Sequence, residues 1–454
     1  MAVMKPILIL VLLFSLGCGN GDNGPQGPFS DPHTVMPTSE YQPLRDWAIH
    51  RGIIHCHSPY SHDACDGEPF VEGVRDEECF QDLRDGMCQT GQDFVFLTDH
   101  DDLFAEYEYP DVLQYADGDV LIERGGLPVA NRVQCAEGHE VIVAAGLEEG
   151  MMPIGLEYHL ADTVEERKAI YNEETPEAVR ALQDAGALVF LQHTEGWSIS
   201  TILSLPIDGI EIFNLHYNLL QNAGAALEML VALEEDPDSV PIPELGIISV
   251  FVENHLDMER WAIASLQRPT PGILATDVHR NTFPGEVWDG ERIDSFRRMM
   301  HWFSNYVLVP PGELDDQILK EAIGSGRMYG SFDYLGYPVG FDFHGEAGGT
   351  IYEMGDHPPD GAELVVVLPS VYKLDPDVTP PDVSGYILKA KDDGTWEDVE
   401  SGDGDLSYTA GPGVYRAEVR TVPWHLKEWL GSDSRRWLVK YIWIYSNPIY
   451  VGMQ

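Results

Sequence analysis

The sequence predicts an α/β domain built around a parallel β-sheet, followed by a small all-β domain. Short apolar runs alternate with helix-like segments up to about residue 335, and many of these runs end in a histidine or an acidic residue. From residue 336 onward, short alternating runs separated by Asp, Gly and Pro replace that pattern. Continuous apolar strands alternating with helices indicate a parallel sheet covered on both faces. In closed β/α barrels the reactive groups gather at the carboxyl ends of the strands, so we expect a site there.

Residues 1–18 resemble an export signal. Lys5 precedes an apolar run from Ile7 to Leu16, which is shorter than the roughly 20 residues needed to span a bilayer but suits a secretory signal. Gly17-Cys18 resembles the lipidation site of bacterial lipoproteins, although Ser15 stands where such sites usually have Leu. Residues 19–43 are rich in Gly, Asn and Pro and predict a flexible linker. We expect an exported lipoprotein that faces the periplasm or cell surface and touches the membrane only through its anchor.

The charge balance excludes one class of partner. The chain has 27 basic and 76 acidic side chains, a net charge of −49. Such a surface repels nucleic acid and anionic lipid headgroups, so a nucleic-acid partner is not expected. An anionic substrate would need local positive charge, supplied by a metal ion or by an arginine.

Export permits disulfide bonds. Apart from Cys18, the chain has an odd number of cysteines, so at least one is free: Cys56, Cys65, Cys79, Cys88 and Cys135. We predict that Cys56 is the free thiol. The sequence does not determine how the others pair.

The clearest helix–strand unit is TPEAVRALQDAGALVFLQHTEG. Thr175 is a good N-cap, Pro176 suits the first helical position and Gly186 suits the helix end. The segment ALVFLQ then predicts a buried strand, and His193 follows directly after it.

The same arrangement recurs along the predicted domain, which spans residues 44–335. Polar residues follow the apolar runs in IIHCH (His55, His57), DFVFLTDH (Asp99, His100), HEVIVAAGLE (Glu148), DGIEIFN (Asn214) and TPGILATDVH (Asp277, His279). Side chains alternate along a strand, so His55 and His57 are expected on one face and Cys56 on the other. Imidazole and carboxylate together suit Zn, Mn or Fe, and these ligands exceed what one ion takes. We therefore predict a cluster of two or three divalent metal ions.

These motifs resemble those of the PHP (polymerase and histidinol phosphatase) superfamily of metal-dependent hydrolases. The matching segments are His55, His57, Ser58, Ser61 and Asp63; Thr98-Asp99-His100; Gly146-Leu147-Glu148; His159-Leu160; and Asp277-Val278-His279. His193 matches a further family histidine, although Thr194 follows it where the family usually has Pro. The match spans about Ile49 to Phe332. It implies a distorted (β/α)7 barrel.

The resemblance also implies a set of ligands. By analogy with three-metal members, one ion would be held by His55, His57, Glu148 and Asp277, a second by Glu148, His159 and His193, and a third by Asp63, His100 and His279. His62 is the alternative to Asp63. Asp277 and His193 are candidate catalytic residues, and Arg280 is the candidate for binding an anionic group. Apart from the resemblance, Asn214 at the end of EIFN is a candidate to orient a substrate or a ligand, and His216 just after it is a candidate to line the pocket.

Residues 336–454 predict an antiparallel β-sandwich. The runs AELVVVLPS, SGYILKAKDDG, GVYRAEVRTV and KYIWIYSNPIYVG each read as short strands separated by turn residues. The sequence does not decide whether this domain packs against the site, binds a ligand or gates a substrate.

The resemblance implies a hydrolase, and we expect a phosphoesterase that acts on small phosphate esters through metal-bound hydroxide. One alternative is a hydrolase of carboxyl or carbamate esters that uses the same metal cluster. Another is a metal-stabilised binding lipoprotein without catalytic turnover.

Overall fold

The computed structural model describes residues 34–235, 238, 240–432 and 434–453. The predicted export signal, Cys18 and linker residues 19–33 lie outside the described residues. Residues 34–43, the described end of the predicted linker, contact the core through a few side chains. Met36 and Tyr41 are only 1% and 8% exposed, and the Thr38 hydroxyl donates a hydrogen bond of 2.7 Å to Asp93. Burial of these apolar side chains fixes this segment against the core.

The part of the chain up to Ser331 alternates strands and helices. Its strands are β1 (Ala48–Cys56), β2 (Phe70–Val71), β3 (Val74–Arg75), β4 (Phe94–Phe96), β5 (Val120–Arg124), β6 (Leu127–Gln134), β7 (Glu140–Ala144), β8 (Met152–Ile154), β9 (Leu188–Leu191), β10 (Gly209–Asn214), β11 (Gly272–Val278), β12 (Ser304–Val309) and β13 (Met328–Ser331). Its helices are α1 (Glu77–Gln89), α2 (Asp101–Phe104), α3 (Val164–Tyr171), α4 (Pro176–Asp184), α5 (Ile199–Ser204), α6 (Leu215–Gln221), α7 (Ala223–Glu235), α8 (His255–Ser265), α9 (Phe296–Trp302) and α10 (Asp316–Gly324).

Strand β1 lies at the centre of the large sheet. Its second half pairs in parallel with β4 on one side and β11 on the other, while its first half pairs antiparallel with β12. Parallel pairing continues from β4 to β7, and from β11 through β10 to β9. The predicted parallel arrangement is therefore confirmed. Since parallel strands share a direction, their carboxyl ends lie on one side of the sheet.

Strand β8 lies at the end of the β11–β10–β9 series and pairs antiparallel with β9. An isolated antiparallel bridge joins Ile154, its last residue, to Gly146, which follows β7. The protein is thus a mixed α/β structure with one large sheet and smaller ones. Closure into a seven-stranded barrel stays a prediction.

The predicted helix–strand unit around α4 is confirmed in detail. The Thr175 hydroxyl accepts a hydrogen bond of 3.2 Å from the amide of Ala178, and Pro176 is the first helical residue. Gly186 follows the helix with φ +85°, a backbone conformation that disfavours a side chain. Strand β9 then leads directly to His193.

The predicted free thiol is also confirmed. Cys56 is buried and unpaired, while disulfide bonds join Cys65 to Cys79 and Cys88 to Cys135. The first bond ties the turn after β1 to α1. The second ties α1 to the segment between β6 and β7.

The C-terminal part is antiparallel, as the alternating runs predict. Its elements are β14 (Pro338–Val339), β15 (Asp342–Ala347), β16 (Thr350–Tyr352), β17 (Glu363–Val367), β18 (Ser370–Val371), β19 (Asp382–Ala390), β20 (Trp396–Gly402), β21 (Leu406–Thr409), β22 (Gly413–Val422), α11 (Ser434–Trp437), β23 (Tyr441–Ser446) and β24 (Ile449–Val451). Strands β16, β15, β17 and β21 form a four-stranded sheet. Strands β20, β19, β22 and β23 extend the large sheet, because β23 pairs with β13. The large sheet therefore continues across residue 336, where the second domain is predicted to begin.

Within the part of the chain that the structure describes, no helix combines the length and the apolar character required to cross a membrane.

Candidate metal centre

Four buried side chains from three strand ends form the core of the candidate site, which we call the inner subsite: His55, His57, Glu148 and Asp277. His55 Nε2 lies 3.2 Å from both Glu148 Oε2 and Asp277 Oδ1. His57 Nε2 lies 3.2 Å and 3.5 Å from the same two oxygens. Ligands bound tetrahedrally at about 2.1 Å from an ion are about 3.4 Å apart, so these distances match the edges of a metal coordination shell.

Three atoms of the inner subsite are buried without any hydrogen-bond partner. They are His55 Nε2, His57 Nε2 and Asp277 Oδ1. Buried polar atoms are almost always paired, because leaving one unpaired costs about 1–3 kcal/mol. Three such atoms directed at one point therefore fit a divalent ion.

The other ring nitrogen of each histidine explains why Nε2 faces the site. In the inner subsite, Nδ1 of His55 binds the Glu211 carboxylate and Nδ1 of His57 lies 3.0 Å from Ser61 Oγ. Two further histidines near the site have backbone carbonyl oxygens 2.8 Å from Nδ1: Glu148 O for His100 and Asp277 O for His279. Nδ1 of His193 lies 3.5 Å from Glu195. An acceptor at Nδ1 holds the proton there and leaves the Nε2 lone pair for a metal.

Asp63, His100 and His279 form a second group, the outer subsite, which His57 also approaches. Asp63 Oδ2 lies 3.1 Å from His279 Nε2 and 3.4 Å from His100 Nε2. The Ser61 hydroxyl orients Asp63 by donating a hydrogen bond of 2.8 Å to its Oδ1. His62, the alternative ligand, is 51% exposed and lies beside Asp102 instead.

The remaining oxygens of the inner carboxylates face a third set of nitrogens. Glu148 Oε1 lies 3.0 Å from His193 Nε2. Asp277 Oδ2 lies 3.7 Å from His193 Nε2 and 2.9 Å from His216 Nδ1. Both carboxylates therefore present one oxygen to the inner subsite and the other to this group, which we call the lateral group: Glu148 Oε1, Asp277 Oδ2, His193 Nε2 and His216 Nδ1.

The structure does not bring His159 to the cluster. Its Nδ1 lies 2.8 Å from the Tyr171 hydroxyl, and its Nε2 lies 2.8 Å from the Tyr107 carbonyl oxygen. Both ring nitrogens are therefore occupied by protein groups. Burial lowers the pKa of this histidine, which favours the neutral ring.

Arg280, the predicted anion-binding residue, does not stand alone. Its Nε lies 3.1 Å from Asp82 and its Nη2 lies 3.2 Å from Glu78, both on α1. These carboxylates offset its charge, so an anion bound there would compete with Asp82 and Glu78 for the guanidinium.

Sequence reasoning missed Glu211, which lies in the middle of β10 and is fully buried. It binds His55 Nδ1 through one oxygen and accepts hydrogen bonds from the His193 amide (2.7 Å) and Asn214 Nδ2 (3.1 Å) through the other. A signal was available. A carboxylate within the apolar run GIEIF is too costly to bury without partners, so its presence there indicates a positioning role.

The site's electrostatics are those of histidines surrounded by acids. Burial favours the neutral ring of His55, but Asp277, Glu148 and Glu211 outweigh it and raise its pKa well above the ordinary value. Burial is likewise outweighed at His100 by Asp63 and Glu149, and at His193 by Glu148 and Glu195, so that the pKa of each rises to about 11. The pKa of His57 is lowered by burial and by the neighbouring His279. A metal ion that enters the site would replace protons on the histidines whose pKa is raised.

Backbone strain marks the same residues. His55, His193 and Asp277 have φ of 71°, 45° and 52°, in the left-handed region that side chains disfavour. Each such residue costs on the order of 1 kcal/mol, and the tertiary structure must compensate that cost. Strain of this kind accumulates at functional sites.

The cluster is open on one side. His55, His57 and Asp277 are at most 1% exposed, whereas Asp63 is 30% and His193 37% exposed. Solvent therefore reaches the cluster at Asp63 and His193, while the inner subsite is shielded from it.

No protein-family model matches the chain, and a search of curated proteins found no match. Among solved structures, the chain is similar to a two-domain protein from Bacteroides vulgatus ATCC 8482 described as containing a predicted PHP-like metal-dependent phosphoesterase. The identity is 12% and the TM-score 0.36, over 90% of this chain and 98% of that one. At that TM-score the overlap is too loose to assign an activity, which has to be inferred from the site itself.

Proposed function

We propose that this protein is a metal-dependent hydrolase of small phosphate esters, with two or three divalent Zn, Mn or Fe ions held by the inner, outer and lateral groups. The observation that carries the proposal is the convergence of the unpartnered buried atoms of His55, His57 and Asp277. A purely structural site closes its coordination shell, whereas a catalytic site keeps one side open. The open side toward Asp63 and His193 favours catalysis.

The residues of the site suit hydrolysis in a defined way. Divalent ions held here would supply Lewis acidity and a nucleophilic water at neutral pH. Glu148 and Asp277 each present two oxygens to two groups, which holds the groups at a fixed separation. His193 would bind an ion of the lateral group through Nε2, while Nδ1, 3.5 Å from Glu195, keeps the proton. Phosphoryl oxygens can contact several cations at once, and a cluster of this kind therefore favours phosphorus over a planar carbonyl.

The resemblance to the PHP superfamily belongs to this proposal. The order of the motifs supports it, as does the bridge from Gly146 to Ile154, which links the β7 side of the sheet to β8. On this proposal, β1, β4, β7, β8, β9, β10 and β11 form the distorted seven-stranded barrel.

One observation favours a second candidate function. Arg280 is paired with Glu78 and Asp82, so its charge is not fully available to bind a phosphate. A hydrolase of carboxyl or carbamate esters needs no such cation. The two candidates share the cluster and differ only in substrate.

The test is a comparison of substrates on protein purified without chelators. We expect two to three metal ions per chain by elemental analysis and faster hydrolysis of p-nitrophenyl phosphate than of p-nitrophenyl acetate. Chelator and Asp277→Asn should both abolish hydrolysis. Asp398→Asn, the same change on exposed strand β20, serves as the control and should leave the rate unchanged.

Two outcomes would decide against phosphate esters. Efficient turnover of the acetate or of an aryl carbamate, with no turnover of phosphate mono- or diesters, would favour the second candidate. A metal content below one ion per chain would contradict both.

The location of the protein is proposed on the sequence alone. We propose that it is exported and anchored through lipidated Cys18, with a small-molecule ester as its substrate and no nucleic-acid partner. The unaltered protein should fractionate with membranes in a bacterial host, and Cys18→Ser should release it or leave it uncleaved. A wholly soluble unaltered protein would refute the anchor.

A further inference from the structure

We propose that His216 is the metal ligand that completes the lateral group, in the place that the resemblance gives to His159. The inference rests on the proposed metal cluster and assigns one of its ligands. It concerns the ion that would lie between Glu148 Oε1, Asp277 Oδ2, His193 Nε2 and His216 Nδ1.

Three distances bear on this assignment, and His216 approaches the lateral group through Asp277, with which it and His279 also form a set of ligand atoms within 4.8 Å of one another. His216 Nδ1 lies 2.9 Å from Asp277 Oδ2, and His193 Nε2 lies 3.0 Å from Glu148 Oε1 and 3.7 Å from Asp277 Oδ2. Ligands of one tetrahedral ion lie about 3.4 Å apart. Two imidazole nitrogens and two carboxylate oxygens repeat the composition of the inner subsite.

His216 is held in place by its surroundings. It lies in the first turn of α6, where Asn214 caps the helix by accepting a hydrogen bond of 3.2 Å from the Tyr217 amide. The same Asn214 side chain contacts Glu211 Oε2 at 3.1 Å and Asp277 Oδ2 at 3.4 Å. The Asn214 side chain therefore fixes the start of α6 relative to the Asp277 carboxylate.

Ring stacking orients the His216 imidazole. Its ring lies 5.0 Å from that of His279 with an interplanar angle of 15°, and His279 stacks in turn on His57 at 3.8 Å and 15°. The three rings are thus nearly parallel, and two of them belong to the inner and outer subsites. A ring held this way loses little conformational freedom when it binds an ion.

His159 is unsuited to the same role. Its two nitrogens are engaged by Tyr107 and Tyr171, and its ring packs edge-on against Phe104 and Tyr109 at 5.0 Å and 5.4 Å. Binding an ion would require both hydrogen bonds to break and the ring to leave this aromatic surrounding. His216 needs no such rearrangement, because Nδ1 already faces Asp277.

The test compares the same substitution at the two histidines. The metal content of His216→Ala and His159→Ala is measured by elemental analysis after chelator-free purification, with thermal unfolding to show that both variants fold. His216→Ala should hold about one ion fewer per chain than the unaltered protein, and added imidazole should restore that ion. His159→Ala should keep the full metal content.

Two results would overturn the assignment while the cluster stands. One is a full metal content in His216→Ala, whatever its activity, since His216 would then act on protons or substrate only. The other is a loss of one ion in His159→Ala. An unaltered protein with less than one ion per chain would overturn the cluster and this inference together. If the unaltered protein hydrolyses no ester but His216→Ala still holds one ion fewer, the proposed function is refuted and the assignment of His216 as a ligand is supported.

Discussion

Glu211 determines which nitrogen of His55 is free to bind a metal. One of its oxygens accepts the proton of His55 Nδ1, and the other accepts two hydrogen bonds, from the His193 amide and from Asn214 Nδ2. Glu211→Gln keeps the shape of the side chain but replaces one oxygen by an NH2 group, which only donates. The change tests the positioning role without creating a cavity.

Either orientation of the new amide disturbs the site. If its oxygen keeps the two donors, its NH2 faces His55 Nδ1, which must then accept, and the proton moves to Nε2. A protonated Nε2 cannot bind a metal ion. If the amide is reversed, the NH2 meets the donors of His193 and Asn214. Loss of such an outer hydrogen bond typically lowers metal affinity 10- to 100-fold, or about 1.4–2.7 kcal/mol.

The assay is a competition titration of Zn²⁺ against a chromophoric chelator, compared with the unaltered protein. Glu363→Gln is the matched control, because Glu363 is exposed at the start of β17 and its carboxylate accepts a hydrogen bond from the Ser407 hydroxyl. Thermal unfolding of both metal-free variants shows whether the fold is retained. An affinity for Zn²⁺ in Glu211→Gln equal to that of the control would refute the argument from the His55 tautomer.

Two further predictions follow from single side chains. Asp63→Ala should lose a metal ion and most of the activity, while His62→Ala should retain both. The reason is that Asp63 contacts His100 and His279, whereas His62 is exposed. The reverse result on elemental analysis would make His62 the ligand. Burial lowers the pKa of His425 from 6.5 to about 4, so the folded state disfavours its protonation. The stability that this contributes is present above pH 6.5 and is lost as the pH falls toward 4, by up to about 3 kcal/mol. Urea unfolding from pH 7 to pH 4 should therefore show a shallower loss of stability in His425→Gln, and equal slopes would contradict the prediction.

The candidate ligands near strand ends could be found from the sequence because their position is set locally. An apolar run fixes the strand, and residues at its end or shortly after it lie at the carboxyl end of the sheet, as His100, His193 and Asp277 do. His159 differs, because it follows β8 through a loop whose path no local pattern determines. Packing of that loop against Tyr107 and Tyr171 directs its ring away from the cluster.

Glu211 and His216 show what a sequence pattern leaves undetermined. Glu211 interrupts an apolar strand, but its partner His55 lies 156 positions earlier in the chain, so the strand sequence does not reveal the contact. His216 follows its strand by a short distance, and only the start of α6 turns its ring toward Asp277. Contacts between residues far apart in the chain are set by packing, which local propensity does not encode.

The amino-acid sequence by itself predicted the parallel strand pattern, the histidines and carboxylates near the strand ends, the presence of a free thiol and the change to antiparallel structure after residue 336. The strand patterns depend on local periodicity and turn chemistry, which act over a few residues, and the free thiol follows from the odd number of cysteines. Tertiary structure alone decided the disulfide pairs, the burial of Met36 and Tyr41, the pairing of β13 with β23 and the position of His216, rather than His159, beside Asp277. Each of these is a contact between distant segments, whose free energy exists only when the whole chain has packed.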